Sequence, residues 1–328
     1  MHAIVYHRYG GPDVVHLAEL PKPVPRDNEV LVRIHATTVS SADWRARTLD
    51  LPGGFGFMGR PVFGLFGPRQ PVLGGELAGV IEAVGRSITR FSVGEAVFGF
   101  TGAKFGCHAE YRTLPEDGLI ARKPANFSFE EAAALSFGGT TALSFLRDKA
   151  GIRPGDKVLV IGASGSVGAA AVQLAKHFGA EVTGVCSTAN LKLVRSLGAD
   201  RVIDYTSEDF ARSGDSWDII LNCNGAVSFA QVEAALKPRG RLVLVLGSFA
   251  QAVGLERPRK GSDKRLVSSI AQVTVEDMQL LAQLAGSGAL KPVIDRVYPL
   301  ADAAEAHAYV ATGRKRGNVV LAVGSRPD

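Results

Sequence analysis

The sequence predicts an α/β fold of two domains, a small, strongly bent β domain followed by a doubly wound parallel sheet. Three observations carry this. Up to residue 122, short alternating runs such as residues 30–35 and 79–84 are punctuated by Gly, Pro and Asp, the pattern of a β domain with tight turns. Beyond it, apolar runs at 158–161, 182–185, 202–203, 219–221 and 242–246 alternate with stretches of helical period, the pattern of a parallel sheet covered by helices. The length of 328 residues, 46% of them apolar, suits two ordinary cores.

In chain order, the first domain is expected over residues 1–122, with turns at Gly10-Gly11-Pro12, Pro21-Lys22-Pro23, Gly74-Gly75, Gly85 and Gly94. The parallel-sheet domain is expected over 123–290, its faces covered by helices that start near Val167, Leu191, Phe229 and Val275. Residues 291–328 hold a helix-like stretch over 299–312 and a last strand over 318–323, and return to complete the first domain.

The most informative stretch is residues 157–185, which reads strand, turn, helix, strand. Its turn, Ala163-Ser164-Gly165-Ser166-Val167-Gly168, has the form A-x-G-x-x-G. Small residues are needed there because the backbone must approach a pyrophosphate and the helix must sit tight on the strand. The open amides of the helix N-terminus then face the phosphate charge. An NAD site usually has an acidic residue at the end of the next strand, about 20 residues past the glycines. Here that strand ends Val185, Cys186, Ser187, Thr188, Ala189, Asn190, without a carboxylate. A 2′-phosphate would meet no repulsion and would find donors at Ser187 and Asn190, with Lys192 nearby, so the residues favour NADP(H). Ser187 and Asn190 also suit the cap of a helix beginning near Leu191, and the two roles are compatible.

Composition excludes several classes. The net charge of +5 is spread through mixed-sign sequence with no basic block longer than Arg314-Lys315-Arg316, which argues against a nucleic-acid partner. The opening residues, MHAIVYHRYGG, lack the apolar core of a secretory signal, and no run approaches the roughly 18 apolar residues of a membrane span. No membrane partner is expected, and the expected compartment is the cytoplasm. Cys107, Cys186 and Cys223 are far apart and odd in number, as reduced thiols would be.

Several blocks together resemble the zinc-independent quinone oxidoreductase branch of the medium-chain dehydrogenase/reductases. They are residues 74–85 (GGELAGVIEAVG), 93–99 (VGEAVFG) and the turn at 163–168, with Leu197-Gly198-Ala199-Asp200, Val202-Ile203-Asp204-Tyr205, Lys291-Pro292-Val293-Ile294-Asp295 and Gly317-Asn318-Val319-Val320. The resemblance spans essentially the whole chain. It implies a GroES-like β-barrel domain and a Rossmann domain with the active site in the cleft between them, in a homodimer that pairs Rossmann sheet edges. Zinc-dependent relatives carry a Cys before an acidic residue and a Gly-His-Glu. The matching stretches here are Ser40-Ser41-Ala42-Asp43 and Gly74-Gly75-Glu76, so both ligands are missing and no metal site is expected. His35, Cys107 and His108 remain as scattered potential donors.

Without zinc, a substrate carbonyl is polarised by hydrogen bonds or position, and the cofactor carries the chemistry. The resemblance points to Ser40, Asp43, Trp44 and Arg45 as the catalytic set, with Thr140 or Thr141 as a further donor. Trp44 stands where relatives have Tyr; an indole N–H is a donor but no acid, so the proton comes from solvent or another residue. Trp44 either packs a cleft wall or stacks on substrate. The resemblance also implies cofactor contacts at Thr141, Tyr205, Asn224, Gly225, Gly247, Ser248, Arg316 and Asn318, one of the 314–316 cations meeting the 2′-phosphate. Asp204 is expected to fix a local turn. The Phe- and Gly-rich segment 51–72 is read as a mobile loop whose Phe55, Phe57, Phe63 and Phe66 line the substrate, make a subunit contact or fold onto their own domain. The expected activity is NADPH-dependent reduction of quinones or α,β-unsaturated carbonyls. The alternatives are a zinc-free alcohol or aldehyde oxidoreductase and an NADPH-binding redox sensor without turnover.

Overall fold

The structure is a computed structural model and describes residues 1–252, 254–256, 258–259 and 261–324. The end of the expected 291–328 return, residues 325–328, lies outside the described residues. Contacts divide the chain into two units: Met1–Leu51, Gly56–Phe137 and the chain from Val273 onward form one, and Pro52–Phe55 with Gly138–Gln272 the other.

Unit one opens with an antiparallel pair, β1 (His2–Val5) and β2 (His16–Glu19). Its long strand β3 (Glu29–Val39) leads into helix α1 (Ser41–Thr48), then helix α2 (Gly56–Phe63), β4 (Glu76–Val84), β5 (Ala96–Phe100), β6 (Tyr111–Pro115) and β7 (Ile120–Arg122). Short helices α3 (Phe129–Ala133) and α4 (Ser136–Leu143) follow. The alternation read in residues 30–35 buries Val30, Val32 and Ile34 in the core of this unit. Register shifts between Leu31 and Val32 and between Ile34 and Ala36 bend β3 against β4. At Gly79 a Cβ would lie 2.0 Å from the Arg33 carbonyl oxygen, so the close approach at this bend requires glycine.

Unit two is a six-stranded parallel sheet of β8 (Lys157–Ile161), β9 (Glu181–Cys186), β10 (Arg201–Asp204), β11 (Trp217–Asn222), β12 (Leu236–Leu244) and β13 (Arg265–Ser268). The order β10-β9-β8-β11-β12-β13 reverses at β8, the doubly wound order of dinucleotide-binding folds. Helix α5 (Ser166–His177) follows β8 and helix α6 (Leu191–Ser196) follows β9. Asn222 is in register with Ile161 and with Leu244, which brings the carboxyl ends of three strands level.

The sheet of unit one is completed late in the chain by β14 (Ile294–Pro299) and β15 (Asn318–Ala322), in the order β14-β15-β3-β4-β5-β7 with β6 on β3. Between them lies a helix, Ala303–Ala311, shorter than the 299–312 stretch expected.

Three elements differ from the sequence reading. Helix Val275–Gly286, expected over the parallel sheet, packs in unit one, where Asn126 Nδ2 donates to the Ala285 carbonyl at 3.3 Å. Its apolar period states that one face is buried and not which sheet buries it. Strand β13 was not anticipated, because a half-exposed edge strand has no continuous apolar run. The expected loop 51–72 contains helix α2, with Pro61 inside it. Among the described residues, no helix is long and apolar enough to cross a membrane.

Candidate functional site

Unit one contains a cavity of about 250 Å³. Phe63, Phe100, Phe105 and Phe137 line it, with Leu51, Ala42 and Ala103 and the backbone of Gly75 and Gly102. Its polar side chains are Ser40, Arg45 and Glu76. The wall is thus largely apolar and aromatic, as small-molecule sites with few placed polar groups are.

The start of α1 positions the first two polar groups. Ser40 is its N-cap: the hydroxyl accepts the amides of Ala42 and Asp43 at 3.2 and 3.3 Å and donates to Asp43 Oδ2 at 2.6 Å. Asp43 completes a capping box by accepting the Ser40 amide at 2.7 Å, and its other oxygen accepts the Gly74 amide at 2.8 Å. Asp43 is fully buried with both oxygens engaged, so it positions α1 against the 74–76 turn. This corrects its expected place in a charge-stabilising set. Trp44 is half-buried and packs on the barrel core, and it is not among the residues lining this cavity. Arg45 does line the cavity; its guanidinium sits 5.2 Å from the Trp44 ring centroid and donates to the Asp50 carbonyl at 3.0 Å. Burial lowers its pKa, opposed by Asp50, and an arginine remains a cation under such a shift.

Glu76 is the group that sequence reasoning used only as a marker beside the missing His. It is 1% exposed at the start of β4. Oε1 accepts the Phe137 amide at 2.6 Å, and Oε2 is bonded to the Thr38 hydroxyl. Burial raises its pKa to about 7; the Thr38 and Phe137 hydrogen bonds oppose that, Asp43 adds to it and Lys315 pulls it down. Lys315 is the half-buried member of the 314–316 cluster, donates to the Gly317 carbonyl, and is pushed down to about 8 by burial against the pull of Glu76 and Asp295. A carboxylate opening the apolar run 77–81 was the available signal for Glu76. The Arg316 amide and guanidinium both meet Asp295, and Asn318 Nδ2 donates to the Val293 carbonyl, so both expected cofactor residues are tied into unit one.

In unit two the expected dinucleotide turn stands at the end of β8. The amides of Gly162 and Ala163 both reach the Val185 carbonyl at 3.1 Å, and Gly165 caps α5 without any side-chain cap bond. A Cβ at Gly168 would lie 2.1 Å from the Gly162 carbonyl oxygen, whereas at Gly165 it would meet that oxygen at 3.5 Å. Gly168 is therefore needed for helix–strand packing, and Gly165 keeps open the space in front of the helix. Ala163 and Val167 are buried beneath the turn, and Ser164 is half-buried. The Ser166 hydroxyl is buried without a hydrogen-bond partner. Uncapped amides and an orphan hydroxyl at the start of a helix fit a pyrophosphate.

The next strand end brings Ser187 and Asn190 together. Asn190 Nδ2 donates to Ser187 Oγ at 3.1 Å, and Asn190 Oδ1 is buried without a partner. Neither side chain caps the helix behind it. Lys192 is exposed. Cys186 is buried, which raises its pKa to about 11 and keeps it a thiol. Asp204 accepts from the hydroxyls of Thr188 and Thr206, the local turn-fixing role expected of it. Tyr205 is 60% exposed. Asn224 and Gly225 follow β11, and Gly247 and Ser248 follow β12, where Ser248 and Gln251 exchange capping bonds. Thr141 is buried on α4. Among the described residues, no three His, Cys, Asp or Glu side chains converge to hold a metal.

A barrel unit and a parallel sheet in the dinucleotide-binding order define a dehydrogenase/reductase scaffold. Residues 26–125 match the family model described as alcohol dehydrogenase GroES-like domain, and residues 197–321 the one described as zinc-binding dehydrogenase. The chain is 32% identical to the chloroplast envelope quinone oxidoreductase homolog of Arabidopsis thaliana over 98% of both chains. It is also 32% identical to the chloroplastic NADPH-dependent alkenal/one oxidoreductase of that plant, over 98% of this chain and 79% of the relative. Among solved structures, the quinone oxidoreductase from Coxiella burnetii superposes with a TM-score of 0.86 at 28% identity, over 99% of both chains. The chain belongs to the quinone oxidoreductase-like family of medium-chain dehydrogenase/reductases. It is an oxidoreductase of the quinone and enone type, acting on small molecules.

Proposed function

We propose that the protein is an NADPH-dependent, zinc-independent reductase of quinones or α,β-unsaturated carbonyls. The observation that carries this is the aromatic cavity of about 250 Å³ with Ser40, Arg45 and Glu76 as its polar points. A conjugated ring or enal is apolar over most of its surface and needs a polar partner only at oxygen. The Arg45 cation answers that need, stabilising negative charge as it develops on the carbonyl oxygen. Bound NADPH supplies the hydride.

The preference for NADP(H) rests on the strand end, where Ser187, Asn190 and Lys192 meet no carboxylate at the ribose position. The pyrophosphate is assigned to the turn from Ala163 to Gly168, under the orphan Ser166 hydroxyl. Although one matching family model is described by zinc, Ser40 and Gly75 stand where ligands would be needed, and the Ser40 hydroxyl is spent on the cap of α1. The same proposal makes the protein a cytoplasmic homodimer: the free thiols of Cys107, Cys186 and Cys223 suit a reducing compartment, and the dimer follows from the family resemblance. It also takes the barrel unit as the substrate domain and the parallel sheet as the cofactor domain.

The test is oxidation of NADPH and NADH by chelator-treated protein with benzoquinone, phenanthrenequinone, an alkenal and a simple aldehyde. Turnover of quinone or alkenal with NADPH that survives chelation is expected. NADPH binding without turnover of any of them refutes the reading and favours a sensor; loss of activity on chelation refutes the metal-free mechanism.

A further inference from the structure

We propose that Glu76 is the proton donor of the cavity, delivering the proton that completes reduction of the conjugated carbonyl. This rests on the reading of the cavity as the substrate site.

The cavity wall narrows the choice. Of its polar side chains, Ser40 already donates its hydroxyl hydrogen to Asp43 Oδ2, and Arg45 is not deprotonated in proteins. Glu76 is the remaining group that can gain and lose a proton. Trp44 packs against the core of this unit and is not among the residues lining the cavity.

Its two hydrogen bonds suit a group that changes protonation state. The Phe137 amide can only donate, so Oε1 stays an acceptor in both states. The Thr38 hydroxyl can donate to a carboxylate or accept from an acid, so Oε2 can carry a proton without losing its partner. Thr38 is held in turn: its carbonyl lies 2.8 Å from His108 Nε2, and since a carbonyl only accepts, that nitrogen carries the hydrogen.

The charged and titratable groups around the carboxyl keep it poised. Asp43 on α1 disfavours a second negative charge, and Lys315 before β15 favours one. Cys107 is a neutral thiol, its pKa raised to about 12 mainly by burial. With burial the largest influence, the carboxyl is an acid near neutral pH, the condition for useful proton transfer.

The balance is simple. Reduction of an enone takes up one hydride from the reduced nicotinamide and one proton. As the new C–H bond forms, the electron pair of the C=C bond moves toward the carbonyl oxygen, giving an enolate; the Oε2–H bond of Glu76 breaks and its proton closes the product. The carboxylate left behind takes a proton from water once product has gone. A quinone follows the same count, ending as the hydroquinone.

Glu76→Gln is the decisive variant, because a Gln oxygen can accept from Phe137 and its amide can donate to Thr38, the pattern of the protonated acid. The expected result with an alkenal is a wild-type rate that declines as pH rises through neutrality and, in the Gln variant, unchanged NADPH affinity, a kcat lower by about 100-fold and loss of that decline. Retention of that decline in an active Gln variant overturns the proposal. Should Gln fail to fold, Glu76→Asp decides: a decline displaced along the pH axis supports the role, and an undisplaced one refutes it. A wild-type protein that turns over no quinone or enone defeats the functional reading itself and takes this proposal with it, an outcome distinct from an active enzyme indifferent to Glu76.

Discussion

The backbone amide of Phe137 donates to Glu76 Oε1 at 2.6 Å, joining the carboxyl at the start of β4 to the residue that forms one aromatic wall of the cavity. Position and titration of Glu76 are therefore coupled. A shift of either partner alters both the cavity wall and the cost of ionising the group.

That coupling predicts a pH-dependent stability. The folded pKa of Glu76 is raised from 4.5 to about 7, so its favourable contribution is complete below the unfolded value and is lost as pH rises through about 7. Relative to Glu76→Gln, wild type should lose stability on the order of 3 kcal/mol between about pH 5 and pH 8. Thermal melts of both proteins across that range check it; parallel curves contradict it.

Lys315→Met should move that window upward, since the lysine charge favours the ionised carboxyl. The pH at which Lys315→Met and the Lys315→Met, Glu76→Gln double variant diverge in Tm is the readout. An unmoved window would show that the two charges do not interact, and one moved to lower pH would contradict the sign of their coupling.

Asp43→Ala removes acceptors from the amides of Ser40 and Gly74 together. A loss of about 2–4 kcal/mol in denaturant unfolding is expected, more than a lone helix cap contributes. A loss near zero would mean water replaces both bonds.

Gly165→Val and Gly168→Val should separate binding from folding. At Gly165 the added Cβ makes an ordinary contact at 3.5 Å, so the protein folds and NADPH binding is lost. At Gly168 the Cβ would collide with the Gly162 carbonyl oxygen at 2.1 Å, so the parallel-sheet unit is destabilised. Circular dichroism melts with cofactor fluorescence titration distinguish the two; NADPH affinity retained in Gly165→Val removes the pyrophosphate from this turn.

Ser187→Asp places a carboxylate where a 2′-phosphate is expected. The ratio of NADPH to NADH affinity should fall at least about 10-fold, which is about 1.4 kcal/mol. An unchanged ratio assigns cofactor choice elsewhere.

Much of this was legible in the chain. The Ala163 to Gly168 turn, the apolar strands around it and the carboxylate-free end of β9 lie within one contiguous stretch, so local pattern suffices to read them. Asp43 and Trp44 were harder. They stand next to Arg45 in sequence, yet on a helix neighbouring residues point in different directions, and α1 turns Arg45 to the cavity while Asp43 and Trp44 are packed inward. Of the four phenylalanines weighed in segment 51–72, Phe63 reaches the cavity and Phe55 meets Phe249 edge to face at 5.5 Å, while Phe57 and Phe66 are exposed.

By itself the sequence determined the fold class, because hydrophobic periodicity and glycine spacing are properties of neighbours along the chain, and it carried the family through the resemblance of its sequence blocks. Tertiary structure decided what depends on distant residues meeting. It took helix Val275–Gly286 into the barrel unit, since an amphipathic helix accepts any apolar partner of the right shape. It also brought Thr38, Glu76 and Phe137 together from three elements. A carboxyl acquires a shifted pKa only from the solvent it loses and the donors it meets, and neither is written in its own stretch of sequence.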